Sequence, residues 1–431
     1  MKYFDALKIY NQGKSAWCSP RKDTVDYKAV IAIMKKTPET PSKKISPKSS
    51  KSSLSKKADI VLKKPPSKSL LFKNANIIQR FLKNKLILIK YNLDTRIQRY
   101  NLIKKRLADI KSNKCLTKKI FNNKQGYTID GIVNLEKKIG SDSVNASIYL
   151  TSIPYLRWSY PIASKLMKVT ANNESETKMN EWITENLILK KQSKHFIIMY
   201  KTTKCSPSEG TANKLLTGER LVNYNELCDG DLSSLMKTDA RNDNMLMINM
   251  AYQILIAIAT YHNRVGYCHG DCHHGNFLYQ LNTEHSDTAY YHYVYNGLDF
   301  YIKSCKYNMC IFDFGTSVPI WKSDDQFIYS DYHRILHGFV SSKTNGWIEG
   351  DVIAQVNANM FMIMTKIQRI MISLLKNKDS DMFQAIIDNV FKVFRPENGI
   401  FTTNKPAKIL NKIPFIINKV QLYPEINFKN A

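Results

Sequence analysis

The sequence predicts an α+β chain of two lobes, in which a β-rich first lobe is followed by a mainly helical second lobe. Between residues 125 and 227, short runs of β-branched and aromatic residues are typical of strands. After Asp231, apolar residues recur at helical spacing, most clearly over residues 243–263. Strands followed by helices are typical of α+β proteins. A basic arm precedes both lobes.

The positive charge of the chain is concentrated in its first 120 residues. The net charge is +28, and residues 1–120 contain 31 Lys and Arg against 7 Asp and Glu, whereas the remainder contains 33 against 29. This asymmetry indicates a nucleic acid or another acidic surface as a possible partner of residues 37–119. The nearly neutral remainder is typical of an ordinary enzyme domain.

The arm divides into three segments. Residues 1–36 are expected to be weakly structured. Residues 37–75 are rich in Ser, Lys and Pro, bury too little apolar surface to offset chain entropy, and are expected to be disordered. Residues 76–120 predict one or two basic amphipathic helices. Such helices could bind nucleic acid, an anionic membrane or a calmodulin-like groove, or could pack on the following domain with a solvated basic face.

Several features predict an intracellular protein, in the cytoplasm or nucleus, without a transmembrane segment. No run of about 18 uncharged apolar residues is present, and the N-terminus lacks the apolar core of a signal peptide. The eight cysteines form no CxxC pair, which indicates reduced thiols. Cysteines and histidines crowd together between residues 268 and 274, but their spacing matches no closed tetrahedral zinc pattern.

Two loop motifs contain the residue types that phosphoryl transfer requires. The run HGDCHHGN, at residues 269–276, follows the long apolar segment, and an apolar run ends in Asp-Phe-Gly at residues 313–315. Phosphoryl transfer needs a carboxylate to accept the proton of the attacking hydroxyl, and oxygen ligands for Mg²⁺. Asp271 suits the first role, and Asn276 and Asp313 suit the second.

Together and in this order, the two motifs resemble the catalytic and metal-binding loops of the protein kinase superfamily. The resemblance implies a two-lobed protein-kinase-like fold, with the N-lobe at residues 125–227 and the C-lobe at residues 228–431. It implies a divergent Ser/Thr protein kinase that uses ATP and Mg²⁺ and transfers the γ-phosphate to protein hydroxyls. The Lys-, Asn- and Ile-rich composition is also similar to that of kinase-like proteins of large nucleocytoplasmic DNA viruses, for which the host cell and the virion are the expected locations.

The resemblance implies a catalytic lysine and a partner for it upstream. Lys165, in an Ala-Ser-Lys run, is implied to hold the α- and β-phosphates, with Lys168 as its rival. Glu185 is implied to pair with Lys165 and so to position it, with Glu181 as the second choice.

The resemblance also implies residues that bind the nucleotide. Gly140 is the one glycine that remains in the loop expected to cover the phosphates. Backbone groups near Asn225 and Leu227 are implied to bind adenine, and Asp231 the ribose hydroxyls. Asp231 suits equally well the N-cap of a helix. Asp331 could brace the catalytic loop or could begin a helix.

Departures from the family pattern leave other functions open. Gly270 stands where protein kinases often carry arginine, and His273 stands where a lysine is usual. Both features are similar to small-molecule kinases of the aminoglycoside and choline kinase type. A third possibility is a pseudokinase or nucleic-acid-binding scaffold that acts through its basic arm. Residues 281–308 separate the two motifs, and their Tyr-rich part predicts a β-hairpin.

Overall fold

The computed structural model describes most of the chain from residue 92 onward. The described residues are 29, 32, 92–111, 116–121, 124–139, 146–156, 162–206, 218–323, 325–340, 358–376, 381–392, 399–418 and 428. The chain divides into two units, residues 1–67 and residues 68–431. In the first unit the described residues, Ala29 and Ala32, are helical. The second unit contains all the elements below.

A seven-stranded antiparallel sheet forms the first half of the second unit, in the order β1-β2-β3-β4-β5-β7-β6. Its strands are β1 Leu116–Phe121, β2 Lys124–Ile129, β3 Val133–Ile139, β4 Ala146–Ser152, β5 Ile162–Lys168, β6 Met199–Cys205 and β7 Arg220–Glu226. Asp130 and Gly131 both have positive φ in the turn between β2 and β3, which suits the twist of a tight hairpin. The predicted strands are therefore present, and α1 and α2 accompany them, at Leu93–Leu107 and Ala171–Ile183.

Helices dominate the second half, as predicted. They are α3 Leu232–Met236, α4 Asn244–Thr260, α5 Asp325–Val340, α6 Ala358–Lys376 and α7 Met382–Ile386. Every α4 side chain from Leu246 to Thr260 is buried, so α4 is the centre of the core. With its following turn, α4 is the one helix within the described ranges that is long and apolar enough to cross a bilayer, yet 94% of its apolar window is buried inside the protein.

Three small sheets complete the second half. Their strands are β8 Gly230–Asp231, β9 Tyr267–Cys268, β10 Phe277–Leu281, β11 Ala289–Tyr295, β12 Leu298–Lys303, β13 Tyr307–Ile311, β14 Val318–Pro319, β15 Phe401–Thr402, β16 Lys408–Ile409 and β17 Phe415–Ile416. The hairpin of β11 and β12 is the one that the Tyr-rich segment predicts. The mixed α+β class is thus confirmed, although one helix, α1, precedes the large sheet and ten short strands accompany the later helices.

Helix α1 packs against the large sheet. Tyr100, Ile103 and Leu107 on one face are buried, while the basic residues of its last turn include exposed Lys104. The Nη2 atom of Arg96 lies 2.8 Å from Oε2 of Glu226, and both side chains are almost fully buried. Packing on the following domain, one of the alternatives for the basic segment, is observed for α1. The helical prediction for residues 76–120 is wrong at residues 116–120, which form strand β1 and pair with β2. Residues 76–91 lie outside the described part, and the nucleic-acid partner stays a prediction.

The cysteines differ in one respect from the prediction. Cys205, at the end of β6, is disulfide-bonded, so the prediction of reduced thiols throughout is wrong. Spacing along the chain could not show this because the fold determines which thiols meet. Five other cysteines are free thiols: Cys228, Cys268, Cys272, Cys305 and Cys310.

Candidate functional site

Lys165 is the centre of the site, and strand β5 positions it between β4 and β7. Its side chain is 5% exposed, and its Nζ lies 2.6 Å from Oε1 of Glu176 and 2.8 Å from Oδ1 of Asp313. Burial lowers the pKa of Lys165, but the two carboxylates outweigh burial and raise the pKa above its ordinary value. The buried ammonium therefore stays charged. Lys168, the rival candidate, is exposed.

The implied pairing of Glu185 with Lys165 is wrong, and Glu176 takes that place. Glu176 is buried on the face of α2 that also carries Met179 and Ile183. Glu185 lies nine positions later, about two and a half turns on, and so faces the opposite side of the helix. Its carboxylate is 60% exposed and lies 3.9 Å from Nζ of Lys104. Glu181 is exposed as well.

Asp313 follows β13 and has φ of 67°, an uncommon value for a residue other than glycine. Burial raises its pKa, but the charge and hydrogen bond of Lys165 outweigh burial, so the pKa lies below its ordinary value. The next residue, Phe314, is buried and stacks on Tyr261 with ring centroids 4.9 Å apart. The Tyr261 hydroxyl donates a hydrogen bond of 2.7 Å to Ser317. These contacts hold the segment that aims Asp313 at Lys165.

Asp271 and Asn276 form a second group beside the first. The Nδ2 of Asn276 donates to the Asp271 carbonyl oxygen at 3.0 Å and to its Oδ2 at 3.2 Å. Nε2 of His273 lies 3.5 Å from the same Oδ2. Burial raises the pKa of Asp271, but His273, His269 and Asn276 outweigh burial and lower it. Asp271 is therefore an ionised carboxylate with 38% of its side chain exposed.

Backbone contacts join the two groups. Nε2 of His269 lies 3.0 Å from the carbonyl oxygen of Phe312, which immediately precedes Asp313. The Phe312 N–H donates to the Asn276 carbonyl at 3.1 Å. The Asp271 charge also raises the pKa of Asp313, so the two carboxylates lie within electrostatic range. The structure therefore brings four predicted residues together: Lys165, Asp271, Asn276 and Asp313.

Asp331 braces the loop that carries Asp271. Its carboxylate accepts hydrogen bonds from the backbone N–H groups of His269 at 2.6 Å and Gly270 at 2.9 Å. It also lies 2.9 Å from Nε2 of His262. Asp331 is inside α5, not at its start, so bracing is the alternative that the structure favours.

Gly270 is required by the conformation of this loop. Its φ is +76°, and a Cβ atom there would lie 2.9 Å from the carbonyl oxygen of Thr316. A side chain would therefore be both strained and obstructed. The backbone conformation and the nearby Thr316 carbonyl therefore account for a glycine, and not an arginine, at position 270.

Asp331, His262 and Cys268 also lie close enough together to resemble a metal site. However, the Asp331 oxygens already accept hydrogen bonds from two backbone N–H groups and contact His262. This set is therefore better described as a buried hydrogen-bonding network.

The residues implied to bind the nucleotide base lie where β7 ends. Asn225 is buried inside β7, between β5 and β6. Leu227 follows the strand, at the point where the backbone leaves the sheet. The Asp231 side chain caps α3 by accepting a 2.6 Å hydrogen bond from the Ser234 N–H, which confirms its N-cap role. Gly140 lies outside the described residues.

The side-chain oxygen atoms of Asp271, Asn276 and Asp313 are of the chemical type that binds a magnesium ion. Asp271 and Asp313 both have lowered pKa values and are ionised at neutral pH, and Asn276 adds an amide oxygen. Carboxylate and amide oxygens are hard ligands of the kind that Mg²⁺ prefers. Beside them, the Lys165 ammonium supplies a fixed positive charge for an anionic group.

Comparison with protein-family models finds no match, and comparison with curated proteins finds none either.

Proposed function

We propose that the chain is an ATP-dependent phosphotransferase with a two-lobed protein-kinase-like architecture, and that its acceptor is a Ser or Thr hydroxyl of a protein. The observation that supports this best is the buried Lys165 ammonium, held by both Glu176 and Asp313. Such a lysine, joined to a helix glutamate and to the aspartate of an Asp-Phe-Gly run, is the arrangement that phosphate positioning requires in protein kinases.

Each residue has a distinct role in this proposal. Lys165 binds the α- and β-phosphates, and Glu176 positions Lys165. Asp313 and Asn276 would hold Mg²⁺, which supplies charge neutralisation on the phosphates. The acceptor hydroxyl oxygen forms a bond to the γ-phosphorus, the bond from that phosphorus to the bridging oxygen of ADP breaks, and Asp271 accepts the hydroxyl proton.

The direct experiment compares phosphotransfer by the native chain and by Asp271→Ala, with labelled ATP and a mixture of proteins as acceptors. We expect the variant to lose several orders of magnitude in rate because no other carboxylate of the site is free to accept the proton. Asp239→Ala is the matched control, since Asp239 is an exposed aspartate of the same half of the molecule. Equal rates for the native chain and Asp271→Ala would overturn the assignment.

A specific feature favours a small-molecule acceptor as the second candidate. His273 lies 3.5 Å from the Asp271 carboxylate, where a lysine contacting the γ-phosphate would be expected in a protein kinase. Incubation with labelled ATP and either the protein mixture or a panel of hydroxyl-bearing metabolites separates the two candidates. Labelling of metabolites alone would favour the second candidate, and loss of that labelling in Asp271→Ala would assign it to the same site.

A further inference from the structure

A cavity of about 340 Å³ lies away from Lys165, between the start of α1, the Lys194 segment and the sheet of β11. Its size is within the range of about 300–1,000 Å³ that is usual for small-molecule sites. Asn92 and Arg96 line it from α1, Tyr291 from β11, and Phe415 from β17. The cavity is therefore built by segments far apart in sequence and is a property of the fold.

Lys194 is the unusual residue of this cavity. It is 4% exposed, and its Nζ lies 3.6 Å from the centroid of the Tyr291 ring. Its carbonyl accepts hydrogen bonds from Arg96 at 2.8 Å and from Asn308 at 3.1 Å, which fixes its backbone. Within the described ranges, no carboxylate lies within salt-bridge distance of the Lys194 ammonium. Burying such an ammonium without an anion is costly.

The groups around Lys194 determine the direction in which its pKa is shifted. Burial lowers its pKa to about 7, and the charge of Arg96 acts in the same direction. The thiols of Cys305 and Cys310 and the carboxylate of Glu284 act in the opposite direction and are outweighed. The group is therefore poised between its neutral and charged forms near neutral pH, and an anion beside it would favour the charged form.

The other polar groups of the cavity leave room for one more negative charge. Arg96 is neutralised by Glu226, so the remaining charged groups are three lysines, at positions 191, 194 and 412, and two carboxylates, Asp94 and Glu284, which leaves one positive charge in excess when Lys194 is protonated. Lys191 is paired with Asp94 at 2.7 Å. The Glu284 carboxylate accepts a 2.6 Å hydrogen bond from the Asn92 side chain.

We propose that this cavity binds a small molecule that carries an anionic oxygen group, either a carboxylate or a phosphate, with the Lys194 ammonium as its counter-charge. The cavity has this property whether or not the Lys165 site transfers phosphate.

Calorimetric titration of the full chain with sodium sulfate and with sodium acetate tests the proposal, against sodium chloride at matched ionic strength. Sulfate represents the phosphate group and acetate the carboxylate, and neither titrates between pH 6 and pH 8.5. We expect saturable binding at pH 6, with affinity falling about tenfold per pH unit above pH 7 as Lys194 loses its proton. At pH 8.5, buffers of different ionisation enthalpy should reveal uptake of nearly one proton per anion bound.

The two anions distinguish the two sources of the ligand group, since tighter binding of sulfate indicates a phosphate and tighter binding of acetate a carboxylate. Lys194→Met should weaken binding at least tenfold, whereas Lys191→Met, which changes the paired lysine of the same cavity, should leave it within about twofold. Equal binding by the native chain and Lys194→Met overturns the proposal, as does no saturable binding of either anion at pH 6. If Lys194→Met does not fold, the proton uptake of the native chain decides.

Discussion

At the scale of single residues, the Lys165 ammonium joins three separate parts of the chain. It connects strand β5 to helix α2 through Glu176, and to the segment after β13 through Asp313. A buried cation is tolerated only when partners compensate for its lost hydration. The ion pairs therefore stabilise the fold as well as supporting the proposed chemistry. A substitution at Lys165 would change stability and activity together, so its effect on activity alone could not be measured. Its glutamate partner offers the cleaner experiment.

Glu176→Gln should reduce kcat/KM for ATP by roughly 10²-fold, a typical effect of losing one positioned electrostatic group in an active site. Glutamine occupies the same volume but leaves Lys165 with Asp313 as its single carboxylate partner. Glu185→Gln is the matched control on the same helix, and it should leave kcat/KM unchanged because Glu185 is exposed. Steady-state kinetics at varied ATP concentration measure both variants. A larger loss of kcat/KM in Glu185→Gln than in Glu176→Gln would contradict the role of Glu176 in positioning Lys165.

Asp331 should make stability depend on acid pH. Burial raises its pKa, but the hydrogen bond and charge of His262 and the charge and backbone N–H of His269 outweigh burial and lower it. A carboxyl group with a lowered pKa in the folded state contributes stability above its unfolded pKa of about 3.9, and this contribution is lost as pH falls through the folded pKa. Asp331→Asn should therefore cost about 3 kcal/mol at neutral pH.

Chemical denaturation of the native chain and Asp331→Asn, between pH 7 and pH 3, measures this effect. The difference in unfolding free energy should be constant from pH 7 to pH 5 and should shrink below about pH 4. A constant difference over the whole range would mean that the Asp331 carboxylate has no lowered pKa.

At the scale of secondary-structure elements, helix α1 is attached to the sheet by a buried ion pair. Arg96 donates from Nε and Nη2 to the Glu226 carboxylate, and from Nη1 to the Lys194 carbonyl. Removing one partner of such a pair typically costs 3–5 kcal/mol because the other charge stays buried. We therefore expect Arg96→Met to lower the unfolding free energy by about that amount, as measured by chemical denaturation.

The control for Arg96→Met is Lys104→Met, on the same helix. Lys104 is 53% exposed, and its Nζ lies 3.9 Å from Glu185, a separation at which an exposed ion pair contributes at most about 1 kcal/mol. If both variants lose the same stability, the Arg96 pair does not anchor α1. A double variant, Arg96→Met with Glu226→Met, should recover part of the loss because no uncompensated charge remains.

The spacing of apolar residues predicted most of these elements. It did not identify the glutamate that contacts Lys165. The strand patterns, the apolar run of α4 and the Tyr-rich hairpin all depend on local spacing, and all are present. Helix α2, at Ala171–Ile183, carries Glu176 on its buried face, whereas Glu185 lies beyond the end of the helix and is exposed. The family resemblance nevertheless implied Glu185 as the partner of Lys165. The shared face of Glu176, Met179 and Ile183 was the signal that could have corrected this.

Other parts of the site depend on tertiary structure and have no local signal. The sequence motifs identified Asp271, Asn276 and Asp313, because their chemistry is tied to short loops. The role of Lys194 depends instead on Tyr291 and Asn308, which are about a hundred positions away. Pattern reasoning treats such a lysine as an ordinary surface residue.

At the scale of the whole molecule, the uneven charge separates two possible activities. Residues 1–120 carry most of the net positive charge, and of their described part α1 packs on the large sheet and most of β1 belongs to it. The proposed phosphate site lies instead in the nearly neutral remainder. Binding of nucleotide and binding of a polyanion should therefore respond to different substitutions and to different salt concentrations.

ATP with Mg²⁺ should raise the melting temperature of the native chain, because a ligand at 100 times its Kd stabilises the folded state by about 2.7 kcal/mol. Asp313→Ala should abolish the shift, since it removes a proposed ligand of Mg²⁺ and a partner of Lys165, whereas Asp239→Ala should retain it. In parallel, the affinity for duplex DNA is measured at several salt concentrations. ATP with Mg²⁺ could leave the melting temperatures of the native chain and of both variants unchanged while the native chain binds DNA with a steep salt dependence. In that case a DNA-binding scaffold function of the basic arm replaces the enzyme proposal.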